Sequence, residues 1–451
     1  MNDIRKTRRD IIRTAAGAAA GATAAAGAVA LGARGVGASA LPAIHAPAAV
    51  LAQDTTELTW AINAVSGTEI DLVQKVVDAF VAANPTYKVT VLNYDPTTYD
   101  QKLLTDISAG TMPDMFVSAD VFTKPFFDAG LTADLKPLAA ETGFDLTEFD
   151  TKFLDLGVYQ DKLGFLPRAA DVVVTYFNKD MFDAAGVAHP TADWTYPDML
   201  AAAEKLTIKA SDGTTTQYGV AAGYSWWAYW VPMVIAEGGK ILSDDNTEAV
   251  FNSPEGQRAW GYIFQGLTNG WFAPPSVQKT MGGDGVPFQV GKAAMTFTVR
   301  AAVPTVRDQL KADWDVQLVP KGSARRCTGM GAMGYAISSK TKNPSATWKL
   351  MEYTYSDGMK FFMESYLVVP PIKSFYDDPA WRNLPGPPYD NAVFVSATDD
   401  AMLPPPLPFY STGTFKKAME DGIDAVLLGQ MKPEDAVNKM AQEATRSLKR
   451  G

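Results

Sequence analysis

Two hydrophobic periods take turns along the first third of the chain. Residues 57–61 and the alternating Tyr87, Val89 and Val91 carry the two-residue period of strands. Between them Ile70, Val73, Val76, Val77, Phe80 and Val81 recur at helical spacing, so residues 69–83 are expected to form an amphipathic helix that Asn84-Pro85 ends. A second helix is expected over 98–109, stopped by Gly110, followed by a strand at Met115-Phe116-Val117. Strand, helix, strand, helix, strand is the order of an α/β layer fold with a largely parallel sheet. Such sheets bind ligands beyond the carboxyl ends of their strands, which here picks out Ser66, Ser118 and Asp120.

The middle of the chain repeats the grammar. Residues 163–167 form a short apolar run closed by a proline, and 172–177 (Val-Val-Val-Thr-Tyr-Phe) read as a strand. A helix over 179–185 follows, with Asn178 or Asp180 as cap and Gly186 as stop. Further helices are expected at 197–206, from the cap Ser253 with Pro254 and Glu255, from Asn343-Pro344 to about Tyr355, and from Pro433 to near the end. Strands are expected at 295–299 and 335–338.

The first 52 residues read differently. Arg5, Lys6, Arg8, Arg9 and Arg13 precede an uncharged, mostly Ala/Gly run over 14–33, and small-residue sites follow, the last at Val50-Leu51-Ala52. That order is a secretory signal cleaved after Ala52, and Thr7-Arg8-Arg9-Asp10-Ile11-Ile12 looks like a twin-arginine export signal. A permanent anchor is the alternative, but Ala and Gly give little hydrophobic gain. Without those residues 34 basic and 48 acidic side chains remain, a net charge of −14 that argues against nucleic acid or an anionic membrane surface as partner. Cys327 stands alone, so no intrachain disulfide forms and no lipid-anchor cysteine follows the signal. His189 is the sole histidine after the signal, which excludes a multi-histidine metal site, and its Ala188-His189-Pro190 setting reads as surface.

Several segments together resemble the extracellular solute-binding proteins of ABC transporters, the family that includes maltose- and other sugar-binding proteins. They are Asn84-Pro85 before a valine-rich strand, Ala109-Gly110 before Pro113-Asp114, Phe177-Asn178-Lys179-Asp180 with Phe182 and Ala185-Gly186, Phe288 to Met295, and Tyr366 to Pro371. Phe177 replaces the usual tyrosine of its motif. The resemblance implies a two-lobed periplasmic binding protein fold: each lobe a mostly parallel sheet flanked by helices, the lobes joined by a multi-crossing hinge. On that expectation 53–166 with 330–367 form one lobe, and 167–329 with 368–451 the other. It also implies a monomer outside the inner membrane that hands a small solute, most simply a sugar, to a permease, without cofactor or catalysis.

Candidate chemistry centres on residues 224–230, where Trp226, Trp227, Tyr229 and Trp230 put four aromatics in five positions. They cannot all face one core, and Trp227 and Trp230 share a helix face that suits the apolar faces of sugar rings, as the family's ring-stacking aromatics do. Arg168 and Asp171 are either a simple ion pair or hydrogen-bonding groups for a polyhydroxyl ligand. Arg300 stands where many relatives carry a cleft aromatic, which points either to a charged ligand group such as a carboxylate or phosphate or only to a changed sugar contact. Tyr410, beyond the proline-rich Leu403 to Pro408, is a further candidate. Gly329 to Gly334 fits GxGxxG, but the strand expected there follows the glycines, so the motif reads as a glycine-rich crossing, with Met333, where the backbone must bend and approach the ligand. Asp244-Asp245-Asn246 lacks the glycine of a calcium loop. A secreted glycosidase using two of the many carboxylates is the competing reading.

Overall fold

A computed structural model describes residues 55–64, 67–95, 98–169, 171–331, 333–404 and 413–449. The signal region, Ser66 and Tyr410 lie outside them. In chain order the elements used below are β1 (Thr56–Ile62), α1 (Gly67–Ala83), β2 (Tyr87–Asn93), α2 (Tyr99–Ala109), β3 (Met115–Ala119), β4 (Leu166–Pro167), β5 (Asp171–Val172) and β6 (Val174–Asn178). They continue with β7 (Ile208–Lys209), β8 (Thr215–Val220), α3 (Trp227–Ala236), α4 (Pro254–Thr268), β9 (Ala293–Thr298), α5 (Val303–Gln309), β10 (Trp314–Gln317), β11 (Thr328–Gly331), β12 (Met333–Ile337), α6 (Pro344–Tyr355), β13 (Ala401–Met402), α7 (Gly413–Leu427) and α8 (Pro433–Leu448).

Local sequence explains most of these. In α1 the buried Leu72, Val73, Val76, Val77 and Phe80 form one apolar stripe. Gly110 ends α2 in the left-handed region, at a φ of 71° that a residue with a Cβ rarely adopts. The helix after β6 is capped by the Asn178 side chain, which accepts from the Met181 N–H at 3.0 Å. The Ser253 side chain caps α4 in the same way.

Three larger sheets result, beside a two-stranded pairing of residues 158–159 with 162–163. The first lobe's runs β2-β1-β3-β12-β4, the second lobe's β10-β6-β9-β8-β7, and a small one between them β13-β11-β5. β1 pairs in parallel with β2 and β3, but β12 enters antiparallel to β3 and β4 antiparallel to β12. In the second sheet β8 and β9 are parallel, while β6 opposes both of its neighbours and β7 opposes β8. The expectation of mostly parallel sheets is therefore corrected to mixed ones. The strands carrying the chain between lobes must insert against the direction of those already there, and no strand-by-strand pattern reveals that.

The crossings also redraw two strands. Instead of one strand over 172–177, β5 pairs with β11 and β6 joins the second lobe's sheet, with Val173 as the corner. The Val173 N–H donates to the Gly329 carbonyl at 3.0 Å, and the Thr328 hydroxyl donates to the Val173 carbonyl at 2.6 Å. The strand expected at 335–338 begins at Met333 and is preceded by β11, so the glycines lie within extended chain rather than at a bend. Their role is close approach: a Cβ on Gly329 would sit 2.6 Å from the Ala228 Cα, and one on Gly334 would overlap the Leu166 carbonyl. The strand expected at 295–299 runs from Ala293 to Thr298.

One apolar core extends from Trp60, Phe116 and Tyr335 through Val172 to Tyr176, Trp314 and Phe394. A second lies under the other face of the second sheet, from Phe177 and Phe297 to Trp230, Trp260 and Met440. Alternation along β6 feeds both, Tyr176 into one and Phe177 into the other.

Candidate functional site

Where the chain passes between sheets it encloses a cavity of about 400 Å³. Asn63, Thr68 and Glu69 reach it from the end of β1 and the first turn of α1. Arg168, Ala169, Asp171 and Met333 come from the crossing strands, Pro304, Thr305 and Asp308 from α5, and Phe362, Leu367 and Val368 from the return of the chain. Both lobes and the hinge thus contribute walls. A larger groove of about 630 Å³, between Asn178, Lys205, Ile208, Val290 and Lys311, draws on the second lobe alone and includes none of the candidate ligand contacts named from the sequence.

The polar end of the cavity is built on one ion pair. The Arg168 N–H donates backward to the Met333 carbonyl at 2.9 Å, pinning one crossing strand to the other. Its guanidinium Nη1 then donates to Glu69 Oε1 at 2.6 Å, with side chains 19% and 12% exposed. Glu69 occupies the first turn of α1, where a carboxylate also complements the helix dipole. Burial works against the Arg168 charge, but Tyr335, Glu69 and Asp171 together hold its pKa above the ordinary arginine value. Asp171 stands on β5 opposite Gly331, and its carboxylate accepts no hydrogen bond among the described residues. Burial pushes its pKa up; Arg168 opposes this, and the negative charge of Glu69 adds to it. The Asn63 carbonyl oxygen Oδ1 is buried and likewise has no donor among the described residues.

Of the residues singled out in the sequence, Arg168, Asp171 and Met333 are brought together here. Ser118 is buried in β3 opposite Gly334, outside the cavity lining. Asp120 opens the helix Asp120–Asp128 at the end of β3. Trp227, in the first turn of α3, keeps partial exposure, as do Ser225 and Trp226, but lies outside the lining. Trp230 is 1% exposed, its ring against Phe251 at 4.9 Å and Trp260 at 5.4 Å, which corrects the expectation that it faces a cleft. The first turn of α3 reaches the surface, whereas one turn later the helix lies between α4 and β11.

Arg300 is a second correction. It is fully buried, with Nη1 donating to Asn391 Oδ1 at 2.6 Å and the guanidinium carbon 5.0 Å from the Phe394 ring and 5.2 Å from Trp381. Burial lowers its pKa to about 10. Residues 379–396 fold over it, and that packing is invisible from its own neighbours in sequence. Conversely Asn63, Glu69, Thr305 and Asp308 escaped the sequence reading. Glu69 alone had a signal, being the acidic first-turn residue after a strand end already marked at Ser66. Among the described residues no group of His, Cys, Asp and Glu could hold a metal ion, and no helix is long and apolar enough to cross a membrane. Cys327 is buried, and burial raises its pKa to about 11, an unreactive thiol.

Comparison with known proteins agrees with this architecture. Residues 75–388 match a family model described as bacterial extracellular solute-binding protein. A putative binding protein of Brucella abortus (strain 2308) is 25% identical over 398 residues, covering 84% of this chain and 90% of that protein. The sn-glycerol-3-phosphate-binding periplasmic protein UgpB of Escherichia coli (strain K12) is 24% identical over 418 residues, covering 85% and 90%. Among solved structures, the ABC substrate-binding protein Lmo0181 of Listeria monocytogenes in complex with cycloalternan superposes with a TM-score of 0.76 at 25% identity, covering 88% of this chain and all of that one.

Proposed function

The chain belongs to the bacterial extracellular solute-binding proteins, and on that premise we propose that it captures a sugar in the cavity between its lobes and delivers it to the permease of an ABC importer. The observation that carries the reading is the cavity itself, walled by β1 and α1, by the crossing strands and by α5. A ligand there touches both lobes, binds their closed arrangement better than an open one, and so favours closure by that difference in affinity. The cycloalternan complex of the Listeria protein supports an oligosaccharide or smaller sugar as ligand class.

The proposal extends to the setting. The lobes comprise 53–166 with 330–367 and 167–329 with 368–451. The first 52 residues direct twin-arginine export and are removed. The mature protein acts as a monomer outside the cytoplasmic membrane, without a lipid anchor and without turnover of its ligand. Trp227 and Tyr410 remain proposed ligand contacts. A second reading, a charged solute such as a sugar phosphate, draws on the likeness to UgpB.

A thermal-shift screen of the mature protein against neutral mono- and disaccharides, polyols, sugar acids and sugar phosphates tests both. Ligand at 100 times its dissociation constant adds about 2.7 kcal/mol of stability, a shift of a few degrees. A hit among sugars is expected, and a screen without any sugar or sugar-phosphate hit overturns the reading.

A further inference from the structure

Resting on the sugar reading, we infer that the cavity selects uncharged, donor-rich ligands and rejects anionic ones, with Asp171 as the specificity-determining residue. The charges that face the cavity are Arg168 on one side and Glu69, Asp171 and Asp308 on the other, formally one positive against three negative. The one cation is already committed: its Nη1 is bonded to Glu69 at 2.6 Å. The amino-terminal turn of α1, a second source of positive potential, carries Glu69 itself. Arg300, the residue that would have met a phosphate or carboxylate, is enclosed by Asn391, Trp381 and Phe394. An anion entering here meets one guanidinium already paired with Glu69 and two further carboxylates, Asp171 and Asp308.

The unfilled hydrogen-bonding capacity has the opposite character. The Asn63 Oδ1 is a buried acceptor without a donor among the described residues, and the partly buried Asp171 carboxylate lines the same cavity. A buried acceptor left without a donor costs about 1–3 kcal/mol, and a sugar hydroxyl removes that cost. Hydroxyls donate; a phosphate or carboxylate oxygen at the same place only accepts and adds a like charge. Ser and Thr hydroxyls, here Thr68 and Thr305, serve either partner and do not discriminate.

Isothermal titration calorimetry of the mature wild-type protein tests this with glucose, maltose, glucose 6-phosphate and sn-glycerol 3-phosphate, at low and at high salt. The expected result is binding of a neutral sugar at least tenfold tighter than either phosphate, with the gap narrowing at high salt. Asp171→Asn, shown to be folded by its melting curve, is expected to weaken the neutral sugar and shrink the gap. A phosphate that binds as tightly as the neutral sugars overturns the inference while leaving a solute-binding function intact. A Asp171→Asn variant with unchanged affinities and unchanged discrimination removes Asp171 from the role. If none of the four ligands binds, this inference falls, while the sugar reading stands or falls on the wider thermal-shift screen.

Discussion

Replacing Arg168 with Met tests whether the hinge-side ion pair holds the site together. The substitution keeps an apolar stem of similar reach and removes the only cation among the residues lining the cavity. Glu69 and Asp171 then lose the positive charge they share. Breaking a buried pair by removing one partner costs about 3–5 kcal/mol. The pair here is partly open to the cavity, at 19% and 12% exposure, so a loss of roughly 2–3 kcal/mol is expected after solvent screening. Urea denaturation at pH 7 reads it directly. The double variant Arg168→Met with Glu69→Gln removes the stranded charge and is expected to recover at least half of the loss, a coupling above about 1 kcal/mol. Acid pH should narrow the deficit too, because burial raises the Asp171 pKa and its negative charge is lost there. A single variant as stable as wild type, or a double variant whose loss is the plain sum of the two singles, would refute the reasoning.

Three further outcomes follow from the same geometry. Trp230→Ala is expected to cost about 3–5 kcal/mol in denaturation while leaving sugar affinity in the folded fraction within twofold; lost affinity at unchanged stability would return Trp230 to the binding surface. Arg300→Met should cost no more than about 1–3 kcal/mol, the buried Asn391 acceptor it strands being offset in part by Nε and Nη2, which have no partners among the described residues to lose, and ligand binding should persist; abolished binding in a folded variant would contradict its burial. For Asp171 the sign runs against the usual carboxylate. Its folded pKa is raised, so its favourable contribution is complete below the unfolded value of about 3.9 and is lost as pH rises through the folded pKa. Asp171→Asn is therefore expected to be at least as stable as wild type at pH 7, with the difference vanishing in acid, and a melting temperature below wild type at pH 7 would sink that account.

Local periodicity was enough for α1, β2, α2 and the capped helices, because amphipathic spacing, a cap and a terminating glycine act within a few residues of one another. It was also enough to mark Arg168 and Asp171, since a polar pair immediately before an apolar strand is conspicuous wherever the chain goes. What local periodicity could not convey is direction and enclosure. The antiparallel entry of β12, the corner at Val173 and the close approach of Gly329 in β11 arise from partners more than 100 residues away. Arg300 and Trp230 show the same limit most plainly. Each has a side chain suited to a ligand, and each is sealed by segments distant in sequence, residues 379–396 over one and α4 against the other. Residue type states what a side chain is able to bind, and only the packed chain decides whether solvent or a ligand can reach it, because burial is set by whichever distant surface removes the most apolar area from water.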